Sequence, residues 1–357
     1  MGDIIKKQGD SRILYVDIMR VFAVFCMVLL HVSAENWLTA PITSTHWQVL
    51  NIYDSAVRFC VPLLIMISGA FFLNPAKNIS PKILFKKNIL RLVIAYIFWA
   101  SFYATYTSKI YLGINANTVE TFFTNVLAGH FHMWFIPMII GLYLITPLLR
   151  KITADKKATE YFLILSSVFV LVIPMLCILL PVAQAETITT LTNSFLIFFV
   201  LGYSVYFVGG YYFNTNTLSK ITRRIIYALG ILSCLFTIVA SANTSAQVGV
   251  ASGLFYSYSL PTTALTTLSV FIFFKDTVSK INFTGRARAM ILLLSRCSFG
   301  VYLVHAFFLK LCNHFGFTSN LFNPIISVPV IAVSVFICSF IVSYVISKIP
   351  VINKYIM

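Results

Sequence analysis

Residues 13–34 read ILYVDIMRVFAVFCMVLLHVSA. A membrane-spanning helix needs about 20 mostly apolar residues, and this run supplies them around three ionisable side chains, Asp17, Arg20 and His31. Such groups are expensive inside a bilayer and mark function by default. Asp17 and Arg20 are three residues apart, so they can pair on one helical face. Eleven residues separate Arg20 from His31, a rotation that ends about 20° from a whole number of turns and a rise of about 16 Å. One stripe therefore carries an acid–base pair at one end and an imidazole at the other. Glu35 follows His31 at i+4 and is placed to orient the imidazole, as a carboxylate does for a catalytic His. The plain alternative is a packing pair plus an interfacial His; it does not require all of them to share a stripe.

The rest of the chain agrees with a membrane reading. Of 357 residues, 59% are apolar and 10% charged, against about a quarter charged in soluble domains. A water-facing surface cannot be built from that composition. Ten segments qualify as spans: 13–34, 56–74, 89–108, 131–149, 161–181, 193–213, 225–242, 255–274, 291–312 and 325–346. With the N-terminus cytoplasmic, 23 of the 26 Lys and Arg residues fall on inner flanks, leaving Arg58, Lys109 and Lys310 near the other face. That bias sets topology. It puts both termini inside and accounts for the net charge of +16 without nucleic acid. Lys6, Lys7 and Arg12 before Val32-Ser33-Ala34 imitate a secretory signal, but Asp17, Arg20 and the later spans make this an uncleaved first span. The expected fold is a single all-α bundle of ten helices over 1–357. Residues 1–12 and 347–357 would be cytoplasmic, and the outer loops between spans (35–55, 109–130, 182–192, 243–254, 313–324) would be short and polar.

Other spans add candidates. The second runs from Arg58 through Pro62 to Ser68-Gly69, a small pair that lets a backbone or ligand approach closely. No nucleophile-elbow pattern surrounds Ser68. The fourth opens His130-Phe131-His132-Met133-Trp134 and closes near Arg150. His-x-His without an acidic or Cys neighbour gives no metal site, and seven scattered Cys give no disulfide framework. On the ninth, Ser298, Tyr302 and His305 share a face. Two zones result. Arg20, Arg91, Arg150, Arg288 and Arg296 on the cytoplasmic side suit a phosphate-bearing ligand, though some only set topology. His31, Glu35, Arg58, His132 and His305 lie towards the outside.

Val16-Asp17-Ile18-Met19-Arg20 with His31 eleven residues after the Arg resembles the first span of the membrane acyltransferase-3 family, which carries an Arg-x10-His signature. Arg58-x-x-x-Pro62 with Ile67-Ser68-Gly69, His132-x-Trp134-Phe135 with Leu142-Tyr143-Leu144-x-x-Pro147, and Ser298-Phe299-Gly300-Val301-Tyr302 with His305 resemble its second, fourth and ninth. The resemblance covers essentially the whole chain and is nearest to stand-alone members without an esterase-like domain. Met19 for a common Leu and Ala70 for an aromatic are departures that put no role in doubt. The resemblance implies transfer of an acyl group, most often acetyl from acetyl-CoA, to hydroxyls of surface glycans, in a bacterial cytoplasmic membrane. It makes Arg20 and His31 the essential pair, with Asp17 and Glu35 beside them. Arg58, Ser68, Arg91, His132, Trp134, Arg150, Tyr302 and His305 are then candidates for substrate binding. The expected partners are acyl-CoA, a glycan or lipid-linked sugar, and the bilayer. A polysaccharide or lipid-linked sugar exporter is the competing class, since broken helices and intramembrane charge suit it equally; acyl-CoA dependence separates the two.

Overall fold

The computed structural model describes residues 13–75, 80–197, 200–350 and 355–356. The expected cytoplasmic segment 1–12, most of 351–357, and the inner-flank residues Lys77 and Lys354 lie outside the described residues. In chain order the helices are α1 (Leu14–Ala34), α2 (Thr45–Val57), α3 (Cys60–Phe72), α4 (Pro81–Ser108), α5 (Ala116–Ala128), α6 (Phe135–Ile152) and α7 (Lys156–Leu179). There follow α8 (Val182–Ser194), α9 (Ser204–Thr215), α10 (Lys220–Val248), α11 (Pro261–Asp276), α12 (Gly285–His314) and α13 (Pro324–Ser347). No strand occurs among the described residues. Nine segments among them are long and apolar enough to cross a bilayer. This is an all-α, multi-span membrane protein. The end bearing His31 is called outer below, following the Lys/Arg bias.

Three expected boundaries are corrected. The second span does not start near Arg58. It runs from Thr45 to Phe72 over 28 residues, with a break at Arg58-Phe59 between α2 and α3. Arg58 thus sits halfway along the span. The outer half reads as loop because Asn51, Asp54 and Ser55 interrupt its apolar run, yet all three are buried. The sixth span, expected at 193–213, is the 12-residue α9, only about 18 Å long. Gly202 before it has φ +68, and residues 200–203 are not helical. Finally, the outer loops at 109–130 and 182–192 hold α5 and α8, and α2 fills part of 35–55. The start of α5 is fixed by a capping box in which Asn115 and Thr118 satisfy each other's backbone N–H groups.

Apolar side chains such as Ile231, Leu232, Leu235 and Val239 on α10 are exposed, while Ser233, Thr237, Ser241 and Ser245 at i+4 spacing are buried. This inverts the soluble pattern. Lipid tails are as apolar as Leu, so helices associate through close packing and hydrogen bonds instead. Asn51 donates to the Ile238 carbonyl of α10 at 3.0 Å and Ser343 of α13 to the Cys297 carbonyl of α12 at 2.8 Å. Lys275 donates to the Phe213 and Asn216 carbonyls, both at 2.6 Å, satisfying the C-terminal end of the short α9 with a cation.

The helices α3 and α9 approach backbone to backbone. A Cβ on Gly69 would lie 1.7 Å from the Phe207 carbonyl oxygen, and one on Gly210 2.0 Å from the Met66 carbonyl oxygen. The small pair Ser68-Gly69 therefore admits a backbone, the helix α9. Backbone cannot rotate aside, so Gly69→Ala and Gly210→Ala will each cost at least the about 1–3 kcal/mol typical of overpacking. Gly141 of α6 has nothing within 4 Å of its added Cβ. Thermal unfolding of the purified variants should show a lower midpoint for the first two. Gly141→Ala should match wild type or exceed it, because Ala is the better helix former.

Candidate active site

At the inner end of α1, Asp17 is buried and its Oδ1 accepts a hydrogen bond from the Ser295 hydroxyl of α12 at 2.5 Å. Arg20 donates to the same Ser295 oxygen at 3.2 Å and lies 3.5 Å from Asp17 Oδ1. The i,i+3 pair thus forms and is completed by a third residue on another helix, which the sequence did not single out. Arg20 keeps a third of its side chain exposed, so it is not sealed inside the bundle as Asp17 is. Tyr143 of α6 lies beside Ser68, with Arg20 and Arg91 in electrostatic reach of its hydroxyl. Ser68 itself donates to the Leu64 carbonyl at 3.0 Å.

The other inner arginines separate by role. Arg150 donates to the Phe72 and Asn74 carbonyls at 2.8 and 3.1 Å, closing the C-terminal end of α3, which places it as a helix cap. The Arg91 guanidinium lies 5.9 Å from the Phe299 ring centroid. Arg288 is half-buried and Arg296 exposed near the start of α12.

At the outer end four imidazoles gather from three parts of the chain. The His31 and His305 rings stack with centroids 5.1 Å apart, and His132 meets His305 edge-on at 4.9 Å. His132 and His130 bring their Nδ1 atoms to 3.0 Å. Tyr103 of α4 stacks on His130 at 4.3 Å and donates to the Leu303 carbonyl. Tyr302 donates to the His132 carbonyl at 2.9 Å, tying α12 to the turn before α6. The spacing Ser298, Tyr302, His305 does put Tyr302 and His305 in one site, whereas Ser298 donates to the Ser295 carbonyl within its own helix.

Protonation follows from the partners. A carbonyl only accepts, so His305 Nδ1, 2.7 Å from the Tyr302 carbonyl, carries the proton. In the neutral ring Nε2 then holds a lone pair. That Nε2 is buried with no partner, and so is His132 Nε2. Two buried imidazole edges without a protein partner are unusual and leave basic or donor capacity for another molecule. A cavity of about 160 Å³ adjoins the cluster, bounded by Tyr103, Thr107, Asn125, His130 and Phe131. Burial, with Lys310 and His305 adding, pushes His130 down to about 4, so it is neutral at ordinary pH. Among the described residues no group of three His, Cys, Asp or Glu converges as a metal site.

Two expected placements differ. Glu35 does not orient His31: its Oε1 accepts from the Asn313 amide of α12. Arg58 is not at the outer rim. Its Nη2 pairs with buried Asp54 Oδ1 at 2.5 Å, and its guanidinium lies over the Tyr256 ring at 4.1 Å. Tyr256 in turn donates to Asn51. Arg58 remains in electrostatic reach of His31. Asp54 stands at i−4 to Arg58, a pairing distance on a helix, although hydropathy places it in the outer loop 35–55. Trp134 turns from the imidazoles and packs against Tyr258 and Tyr203, at 5.8 and 5.7 Å.

Removing one member of a buried pair leaves the other uncompensated, at about 3–5 kcal/mol. Asp54→Ala should therefore unfold at a clearly lower temperature than wild type, and Asp54→Ala with Arg58→Leu should recover part of the loss; no recovery would mean the pair is not coupled. Burial raises Glu35 to about 7, against the opposing pull of Lys310. An acid raised on folding binds its proton more tightly in the folded state. Its contribution is therefore present below about pH 4.5 and is lost as pH rises through about 7. Glu35→Gln should flatten the stability profile across that window, measured by thermal unfolding between pH 5 and 8.

A family model described as an acyltransferase domain matches residues 13–348. No curated protein and no solved structure matches the chain.

Proposed function

The chain belongs to the acyltransferase-3 family, and from that premise we propose that it moves an acetyl group from cytosolic acetyl-CoA to a hydroxyl of a surface glycan or lipid-linked sugar. The bacterial cytoplasmic membrane is the proposed location. We read the chain as similar to the short stand-alone members of the family, such as the O-acetyltransferase of enterobacterial common antigen. The observation that carries the reading is the outer imidazole cluster, with two unpartnered Nε2 atoms beside His31 and a guanidinium eleven residues below it on the same helix.

In this mechanism the acceptor hydroxyl oxygen attacks the thioester carbonyl carbon and the carbon–sulfur bond breaks. His31 takes the hydroxyl proton and returns it to the departing thiolate. Imidazole suits that exchange near neutral pH. His305, fixed through Nδ1 to the Tyr302 carbonyl, packs on His31 and holds its ring in place. The developing oxyanion needs donors. Tyr302 already donates to the His132 carbonyl. When His130 is the donor in the Nδ1 pair, His132 carries its proton on Nε2 and offers it there. At the inner end, Arg20, steadied by Asp17 and Ser295, binds CoA phosphate, with Arg91 beside it. The pantetheine arm then spans the about 16 Å between Arg20 and His31.

Membranes bearing wild type or His31→Ala, incubated with labelled acetyl-CoA, test this through label in the glycolipid fraction. Label in wild type and a loss of at least about a hundredfold in the variant, in line with removal of a general base, is the expected result. Equal label in both discards His31 as base. No label in either, with both proteins well expressed and acceptor present, turns the reading towards another acyl donor or an exporter.

A further inference from the structure

Three interruptions of helix meet in the outer half of the bundle. One is the Arg58-Phe59 break midway along the Thr45–Phe72 span. The second is the non-helical stretch ending at Tyr203, just before α9. The third is the return from α10 to α11 over residues 249–260, anchored where Ser252 N–H donates to buried Ser245 at 2.9 Å. Backbone without helical hydrogen bonds is tolerated at such depth only where it is buried in protein or borders a cavity.

At this junction stand Trp134, Tyr203 and Tyr258. Their centroids are 5.7, 5.8 and 6.3 Å apart. Trp134 is 37% exposed, and Tyr203 and Tyr258 are half-buried. The Tyr258 backbone is pinned by the Tyr206 hydroxyl at 2.6 Å. The Tyr258 hydroxyl is in electrostatic reach of Arg58 and Asp54. Arg58 Nε is buried and has no hydrogen-bond partner. Aromatic anchors of a membrane interface are spread along the water boundary. Here three rings are grouped at one point, beside a buried donor with nothing to donate to.

We propose that Trp134, Tyr203, Tyr258 and Arg58 form the subsite for an uncharged pyranose ring of the acceptor, a proposal that rests on the acyl-transfer reading above. Aromatic faces carry negative charge density and attract the weakly positive C–H face of a sugar ring. Arg58 Nε–H donates to a ring hydroxyl. Asp54 already neutralises the guanidinium at 2.5 Å, so the subsite as a whole carries no net charge and suits a neutral sugar better than an anion. Arg58 also lies in electrostatic reach of His31, so the subsite is near the proposed base.

The test has two arms on the full-length protein. In membranes, Trp134→Ala and Tyr258→Leu should raise the apparent KM for glycolipid acceptor about tenfold, as lost aromatic contact and burial imply. Their KM for acetyl-CoA should stay unchanged, and Trp134→Phe and Tyr258→Phe should remain near wild type. Unchanged acceptor KM in the first two, or equal loss in the Phe variants, overturns the subsite. The second arm needs no acyl transfer. Titration of purified protein with methyl α-glucopyranoside should give a saturable change in Trp fluorescence that Trp134→Phe abolishes and the linear polyol sorbitol does not reproduce. A wild type without saturable change, or a Trp134→Phe protein that still responds, overturns it. Sugar binding without any acetyl transfer would uphold the subsite while removing the acetyl-transfer reading in favour of another acyl donor or an exporter.

Discussion

The Asp54–Arg58 pair sits midway along a 28-residue span, and the interior of the bundle is arranged around the need to keep both charges there. A single ion in low dielectric costs several kcal/mol even after relaxation. The pair is tolerable because its members are four residues apart on one helix and the guanidinium lies over Tyr256. Tyr256 is held by Asn51, and Asn51 by the Ile238 carbonyl of α10. The helix break after Arg58, the return segment bearing Tyr256 and Tyr258, and the polar stripe of α10 are thus one connected solution to one electrostatic problem. Replacing Asp54, Asn51 or Tyr256 with an apolar side chain would remove a partner from a buried polar group.

Around that centre the packing is set by backbone contact. Gly69 and Gly210 let α3 and α9 touch main chain to main chain, and this fixes α9 although it is too short to cross a bilayer alone. Its two ends are then closed by other elements. Lys275 takes the carbonyls at the inner end, and Tyr203, immediately before the helix, packs on Trp134 and Tyr258 at the other. A half-length helix whose C-terminal carbonyls are satisfied leaves non-helical backbone next to the aromatic cluster, which is how a membrane protein obtains polar groups at depth.

How much of this the sequence carries depends on what kind of interaction is involved. The stripe of Asp17, Arg20 and His31 is legible because helical periodicity is local. The positive-inside bias is legible because it needs only charge and span order. The second span is misread at its outer half because hydropathy scores Asn51 and Asp54 as loop residues, although each has a partner distant in sequence or one turn away. Glu35 is misassigned for a related reason: i+4 spacing makes a contact with His31 possible, but Asn313, on α12, is where the carboxylate goes. Arg150 counts towards a phosphate site by charge alone and is used on helix-end carbonyls. Ser295 and Tyr258 carry no signal by type or spacing; only the three-dimensional fold puts them beside Arg20 and Arg58.

The length of α1 between its two polar ends is itself a functional constraint. Arg20 and His31 are about 16 Å apart on a rigid rod, and both ends are locked to the same second helix, through Ser295 below and His305 above. A change that slid α1 against α12 by one turn would therefore disturb both ends at once. A substrate whose charged group rests at one end and whose reactive carbon must reach the other needs this distance held constant, because misplacing reacting groups by about 1 Å can cost a hundredfold in rate. In a bundle without hydrophobic drive between helices, specific polar contacts at both ends of a helix pair keep its register, and those contacts are here the same side chains that the proposed chemistry uses.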